Sequence, residues 1–259
     1  MRRVLISFVL LLLFVILQLH LFAAAPVYLS KMDTNVDNSS TSITTNAGTI
    51  SGTDKYIACA VVINSITISG TSITINDTSE TLTKQVTVDH DAGGGSVIRT
   101  EVWDKINPAN STGTTTITVG RTAGAAGVGI GCVVYTSVNQ ITPNGGYTST
   151  HTNATSCSVS VATGTDELVV DFSGVRTNTA FTAGGGQTQR VQRVGTNFGN
   201  ASVAISEKSG ASPVSMSWSS DDAANKTWAC VGISLKPVGG GGGGGGSSRG
   251  LLTTGVGSL

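Results

Sequence analysis

The chain has 259 residues, 39% of them hydrophobic and 12% charged, with 15 basic residues against 15 acidic and a formal net charge of zero. Soluble domains usually carry about 25% charged residues. This balance excludes a nucleic-acid partner gripped by a basic footprint, and the hydrophobic content is too high for a disordered chain. Serine and threonine make up about a quarter of the residues and glycine contributes 34, which suits pleated strands joined by turns and leaves few good helix formers.

Arg2 and Arg3 precede an apolar run from Val4 to Phe22, followed by Ala23, Ala24 and Ala25. A positive start, an apolar core and small residues describe a secretory signal peptide. The run exceeds the roughly 7–15 residues of a usual signal core and approaches the roughly 20 that span a bilayer. Pro26 also directly follows the alanines, so residues 1–25 read as a signal peptide or a retained signal anchor helix. Positive-inside bias exports the rest of the chain in either case. Membrane contact is then confined to this segment, and only if it stays uncleaved.

Residues 26–54 form a leader-to-domain segment that includes the first strand. Within it, Asp33-Thr34-Asn35-Val36-Asp37-Asn38 has the alternating oxygens of a calcium loop. It lacks the glycine at the sixth position, where Asn38 stands, and the glutamate at the twelfth, where Thr44 stands. A polar linker is the better reading. A structural calcium suits many sandwiches, but the sequence locates none, and no other cofactor is expected.

From Thr41 to Leu235, strand signals recur with turn residues between them. Ile66–Ser69 and Ser72–Ile75 flank Gly70-Thr71, which predicts a hairpin with a type II′ turn and positive φ at Gly70. Tyr56–Ile63, Val128–Tyr135, Leu168–Phe172 and Trp228–Leu235 are continuously apolar and read as central strands. Lys84–Asp89, Val97–Trp103, Thr115–Val119, Ser156–Val161, Ala201–Glu207 and Val214–Trp218 read as flanking strands. The expectation is an all-β, two-sheet antiparallel sandwich over residues 55–238. After it come a flexible Gly/Ser linker at 239–248 and a short tail at 249–259.

The order of several loose motifs resembles a broad group of secreted bacterial and phage-associated jelly-roll domains of poorly defined function. These are Ser65–Thr74 (SITISGTSIT), Glu101–Pro108 (EVWDKINP), Tyr135–Pro143 (YTSVNQITP), Gly184–Arg190 (GGGQTQR), Val214–Trp218 (VSMSW) and Trp228–Pro237 (WACVGISLKP). The resemblance covers about residues 55–238. It implies a jelly roll on exported or virion-surface proteins, used as a structural or adhesive module, and it carries over no catalytic residue.

Cys59, Cys132, Cys157 and Cys230 are an even set in an exported chain, which permits two disulfides with three connectivities. Free buried thiols are the alternative. Cys59 with Cys230 is attractive, because first and last core strands often adjoin in jelly rolls. His90, between Asp89 and Asp91, and His151, among Ser and Thr, read as loop residues with no catalytic role. The neighbouring carboxylates Asp166/Glu167 and Asp221/Asp222 read as solvated turns. Gly93–Gly95 and Gly184–Gly186 open no helix and so make no phosphate loop.

Six N-x-Ser/Thr sequons, at Asn38, Asn76, Asn110, Asn153, Asn200 and Asn225, barely exceed chance in so Ser/Thr-rich a chain. Trp103, Trp218 and Trp228 are either sugar-stacking platforms or core residues, core packing being the stronger reading. The reading that follows is an exported structural or adhesive surface module without catalytic activity, with a protein or glycan surface partner. The alternative is a carbohydrate-binding module.

Overall fold

A computed structural model describes residues 24–33, 41–120, 126–195, 200–210 and 212–239. The expected leader helix, the body of the calcium-like segment, nearly all of the glycine linker and the tail lie outside the described residues.

Every regular element among the described residues is a β-strand, and the strands fall into two successive sets. The first comprises β1 (Val27–Asp33), β2 (Ser42–Thr44), β3 (Tyr56–Ile63), β4 (Gly70–Ile75), β5 (Glu80–Thr81), β6 (Thr83–Asp91), β7 (Val97–Ile106), β8 (Thr115–Val119) and β9 (Val128–Thr136). The second comprises β10 (Asn144–Ala154), β11 (Ser156–Val161), β12 (Leu168–Arg176), β13 (Phe181–Ala183), β14 (Thr188–Arg193), β15 (Ala201–Ser209), β16 (Val214–Ser220) and β17 (Lys226–Leu235).

Each set builds a large inner sheet and a smaller outer one, all antiparallel. The first inner sheet runs β1-β9-β3-β7-β6 and its outer sheet β2-β8-β4-β5. The second inner sheet runs β10-β17-β12-β15-β14 and its outer sheet β11-β16-β13. Strand for strand these orders coincide. β10 takes the place of β1, β17 of β9, β12 of β3, β15 of β7 and β14 of β6, while β11, β16 and β13 replace β2, β8 and β4. Among the described strands only β5 lacks a counterpart. It precedes β6 by one residue, Leu82, where the chain crosses from the outer to the inner sheet.

The chain thus traces one path twice and stacks four sheets, where the sequence suggests two. The reason is visible in β3, whose eight residues YIACAVVI are all buried. A strand with one wet face alternates apolar and polar residues, so an antiparallel strand buried on both faces needs a layer on each side. Tyr56, Ala58, Ala60 and Val62 enter the core between the inner sheets. Ile57, Cys59, Val61 and Ile63 enter the core beneath the first outer sheet. In β17, Ala229, Val231, Ile233 and Leu235 likewise face the central core, whereas Trp228 and Cys230 pack with Cys157 of β11 and Trp218 of β16. The outer β11 has the wet-faced pattern, with Cys157, Val159 and Val161 buried between exposed serines.

The central interface is close. A side chain at Gly174 would strike Thr100 and Val62 of the facing sheet, and Thr100 Oγ1 donates to the Ala229 carbonyl across the layers at 2.8 Å. Overpacking at such a site costs about 1–3 kcal/mol.

Gly70 corrects the predicted hairpin. It opens β4 within the outer sheet, and its φ is not among the positive ones. Residues 64–69 form no strand. The glycine is needed for room instead, since a Cβ there would lie 2.7 Å from Glu101 Oε2 and 3.3 Å from the Trp103 ring.

Candidate interaction surface

The two inner sheets meet at two rims. At one, β1 and β14 are closed by charge. The Arg190 guanidinium lies 3.9 Å from the centre of the Tyr28 ring and pairs with Glu207. Tyr135 Oη donates to Glu207 at 2.9 Å, and Arg193 pairs with Asp33 at 2.6 Å. Asp33, the first residue of the calcium-like segment, is buried and also paired with Lys31 at 3.0 Å, so two cations already claim its carboxylate.

At the other rim, β6 and β10 are joined by largely uncharged groups. Tyr56 and Tyr147 donate to the same Asp104 oxygen at 2.6 and 2.7 Å, and Gln85 donates to the other at 2.7 Å. Burial, with the Asp104 charge nearby, raises the Tyr147 phenol well above its ordinary value. His90 on β6 and His151 on β10 place their ring centres 4.9 Å apart, and His90 Nδ1 lies 3.2 Å from the Trp228 carbonyl oxygen. Both histidines are therefore strand residues that face each other across the layers, a correction to their reading as loop residues.

The remaining candidates are structural. The four cysteines form Cys59–Cys132 and Cys157–Cys230, which overturns the expected Cys59–Cys230 pairing. The reason is topological. Cys59 and Cys132 are direct partners on adjacent β3 and β9, whereas β17 belongs to the other repeat and meets β11 beneath its own outer sheet. All three tryptophans are buried, Trp103 at 4%, Trp218 at 1% and Trp228 at 0% exposure, so none offers a stacking face. Trp103 Nε1 donates to the buried Glu101, which Lys84 neutralises at 3.2 Å. Trp218 Nε1 donates to the buried Asp171 at 2.8 Å.

The paired carboxylates are held locally. Glu167 accepts the Gly164 N–H at 2.8 Å and the Ser234 hydroxyl, and Thr182 donates to Asp221 at 2.7 Å. Asp222 pairs with Lys226, which holds its carboxyl down at about 2. A cavity of about 480 Å³ at the first of these pairs is lined by Pro26, Thr163, Asp166, Glu167, Ser209 and Ser212, with no aromatic ring. Gly93, Gly94 and Gly95 take positive φ in the turn between β6 and β7, and Gly93 N–H bonds to Asp91. Among the described residues no group of three or more His, Cys, Asp and Glu is arranged to hold a metal ion.

What distinguishes the surface is one pair of sheet edges. Edge strands tempt other strands to pair, and proteins blunt them with charges, proline or extreme shortness. β1 carries Lys31 and Asp33, β6 carries Lys84, Asp89 and Asp91, and β14 carries Arg190 and Arg193. β2, β5 and β13 have two or three residues each. β10 and β11 are the first edges of the two sheets of the second repeat, and from Asn144 to Val161 there is no Asp, Glu, Lys, Arg or Pro. β10 is the longest of the described strands, at 11 residues. A register shift between Asn144 and Tyr147, with Gly146 at φ +100°, bends only its beginning. Thr148, Ser149, His151 and Asn153 are exposed along the rest.

Sequence reasoning missed this edge because β10 holds almost no apolar residues. The usable signal was the absence of charge over a long Thr/Ser run. No family model, curated protein or solved structure matches the chain.

Proposed function

We propose that the protein is an exported structural or adhesive surface module, without chemistry of its own, that engages a protein partner by main-chain pairing along the uncharged β10 edge. The observation that carries this reading is the contrast between that edge and the others, which are charged or very short apart from its neighbour β11. A row of unsatisfied N–H and C=O groups gives affinity to an added strand, and neutral Thr and Ser side chains set no like charges against it. Two disulfides fit an oxidising, extracellular compartment, in keeping with the exported leader. Within this reading each repeat is a small jelly roll, since β1-β9-β3-β7 facing β2-β8-β4-β5 follows that winding and the second set repeats it. The resemblance to secreted and phage-associated jelly rolls points the same way. With its three tryptophans buried, the carbohydrate-binding alternative has lost the platforms that motivated it.

The test compares the wild type with Thr148→Lys/Asn153→Lys, two exposed substitutions on β10, for self-association by sedimentation velocity and for adherence to cells or particles of the source. The proposal expects assembly or adherence in the wild type and its loss in the folded double variant. Adherence that survives both lysines and is competed by free sugars would replace it with glycan recognition.

A further inference from the structure

The histidine pair has a use that goes beyond edge pairing and does not depend on it. His90 and His151 come from different repeats, 61 positions apart in sequence, and meet at the rim where β6 overlies β10. β6 is the last strand of the first inner sheet and β10 the first of the second. Register explains the meeting. His151 stands opposite Ala229 on β17, and Ala229 faces the central core, so His151 points toward the first inner sheet. His90 stands opposite Ile98 on β7, also a central-core residue, and points back toward the second.

Their separation suits chelation at a near-tetrahedral or cis angle. An ion about 2.1 Å from one nitrogen of each ring lies about 3.2 Å from each ring centre, so two imidazoles that meet the ion at about 90–115° have centres roughly 4.5–5.5 Å apart. The observed 4.9 Å falls within that range, and the 42° tilt avoids the parallel stack that would turn both ring edges away from a common point. A second observation concerns the other face of His90. The Trp228 carbonyl, 3.2 Å from Nδ1, can only accept. It therefore holds the Nδ1–H tautomer and leaves the Nε2 lone pair available. A carbonyl behind one ring nitrogen is the usual support of a metal-bound histidine, because it fixes both tautomer and ring orientation. His151 is exposed and His90 partly so, which gives an ion access from solvent.

We propose that His90 and His151 form a two-histidine site for a borderline divalent transition-metal ion of the Ni²⁺, Cu²⁺ or Zn²⁺ class, which clamps the two repeats together at the β6/β10 rim. Imidazole nitrogens select this class over the hard, oxygen-seeking Ca²⁺ and Mg²⁺. With two protein ligands, the other coordination positions belong to water. The clamp is therefore a stabilising accessory that leaves room for a further donor from outside.

The test titrates NiCl2 and ZnCl2 into the purified full chain by calorimetry and follows thermal unfolding at rising metal concentration. The same measurements are made on His90→Gln, His151→Gln and the double variant. The wild type is expected to bind one ion per chain in the micromolar to sub-millimolar range, with its unfolding midpoint rising with metal. Each single variant should bind at least about tenfold more weakly, and the double variant should lose the thermal shift. His151→Gln changes an exposed side chain, so it separates loss of a ligand from loss of fold. Absence of binding in the wild type, or binding and thermal shift unchanged in His151→Gln, would overturn the proposal, the rings then being neighbours that share no ion.

Discussion

Asp171 sits on β12 with its carboxylate buried toward the second outer sheet. It accepts the Ser206 N–H at 2.8 Å, the Ser206 hydroxyl at 2.6 Å and Trp218 Nε1 at 2.8 Å. Burial outweighs these three donors and pushes its carboxyl up from 3.8 to about 7. A raised acid binds its proton more tightly when folded, so between the two values the folded chain holds more protons than the unfolded one. Its contribution is complete below about pH 4 and is lost as pH rises toward 7, on the order of 4 kcal/mol. Urea unfolding at a series of pH values should therefore show the wild type losing stability over that window relative to Asp171→Asn, which cannot ionise. A difference that does not vary with pH would mean that Asp171 stays charged on its three donors. Glu101, beside the other buried indole donor, has Lys84 as a counterion. Asp171 receives only neutral donors in its hydrogen bonds, so no counterion offsets its burial.

At the scale of elements, the disulfides make the sharpest prediction. Each closes a sequence separation of 73 residues, and the two loops do not overlap. Closing a loop of that size restricts the unfolded chain and typically contributes about 2–4 kcal/mol. Cys59→Ala/Cys132→Ala and Cys157→Ala/Cys230→Ala should each lower the melting temperature by roughly 5–15 °C. Peptide mapping of unreduced protein should recover the two bridges and no Cys59–Cys230 species. The cysteines were easy to find in the sequence, but their pairing was not, because it depends on which strands adjoin. The same division runs through the fold. Tyr56–Ile63, Thr115–Val119 and Ser156–Val161 have the bounds that their β-branched and apolar residues suggest. β10 and β14 escaped, since edge strands made largely of Thr, Ser, Asn, Gln and Arg have no apolar alternation to read, and β13 escaped because three residues are too few to show a period. The hairpin at Gly70 was misread because what requires glycine there is Glu101 and Trp103, distant in sequence. The histidine pair was illegible for the same reason, each ring being unremarkable in its own segment.

At the scale of the molecule, the question is whether two repeats of one winding behave as two domains. Each disulfide lies within its own repeat, so no cross-link joins them other than the chain itself. Their union rests on a shared core in which Ala58, Ala60, Val62, Ile98, Val102 and Val133 meet Val170, Phe172, Val203, Ile205, Ala229 and Val231, all fully buried. Polar ties across the layers reinforce it, from Thr100 to Ala229, Tyr147 to Asp104, Tyr135 to Glu207 and Arg193 to Asp33. Interfaces between independent domains are usually more polar than this, and their relative motion follows from it. Here, opening the inner interface would wet one full face of each five-stranded sheet, a cost of the same kind as unfolding a core. Heat should therefore unfold both repeats in one calorimetric transition, with matching calorimetric and van't Hoff enthalpies. The decisive sample is Cys59→Ala/Cys132→Ala, which weakens only the first repeat. If the shared core couples the repeats, its single transition shifts down intact. If the repeats are independent, the transition splits, with the second repeat melting where it does in the wild type.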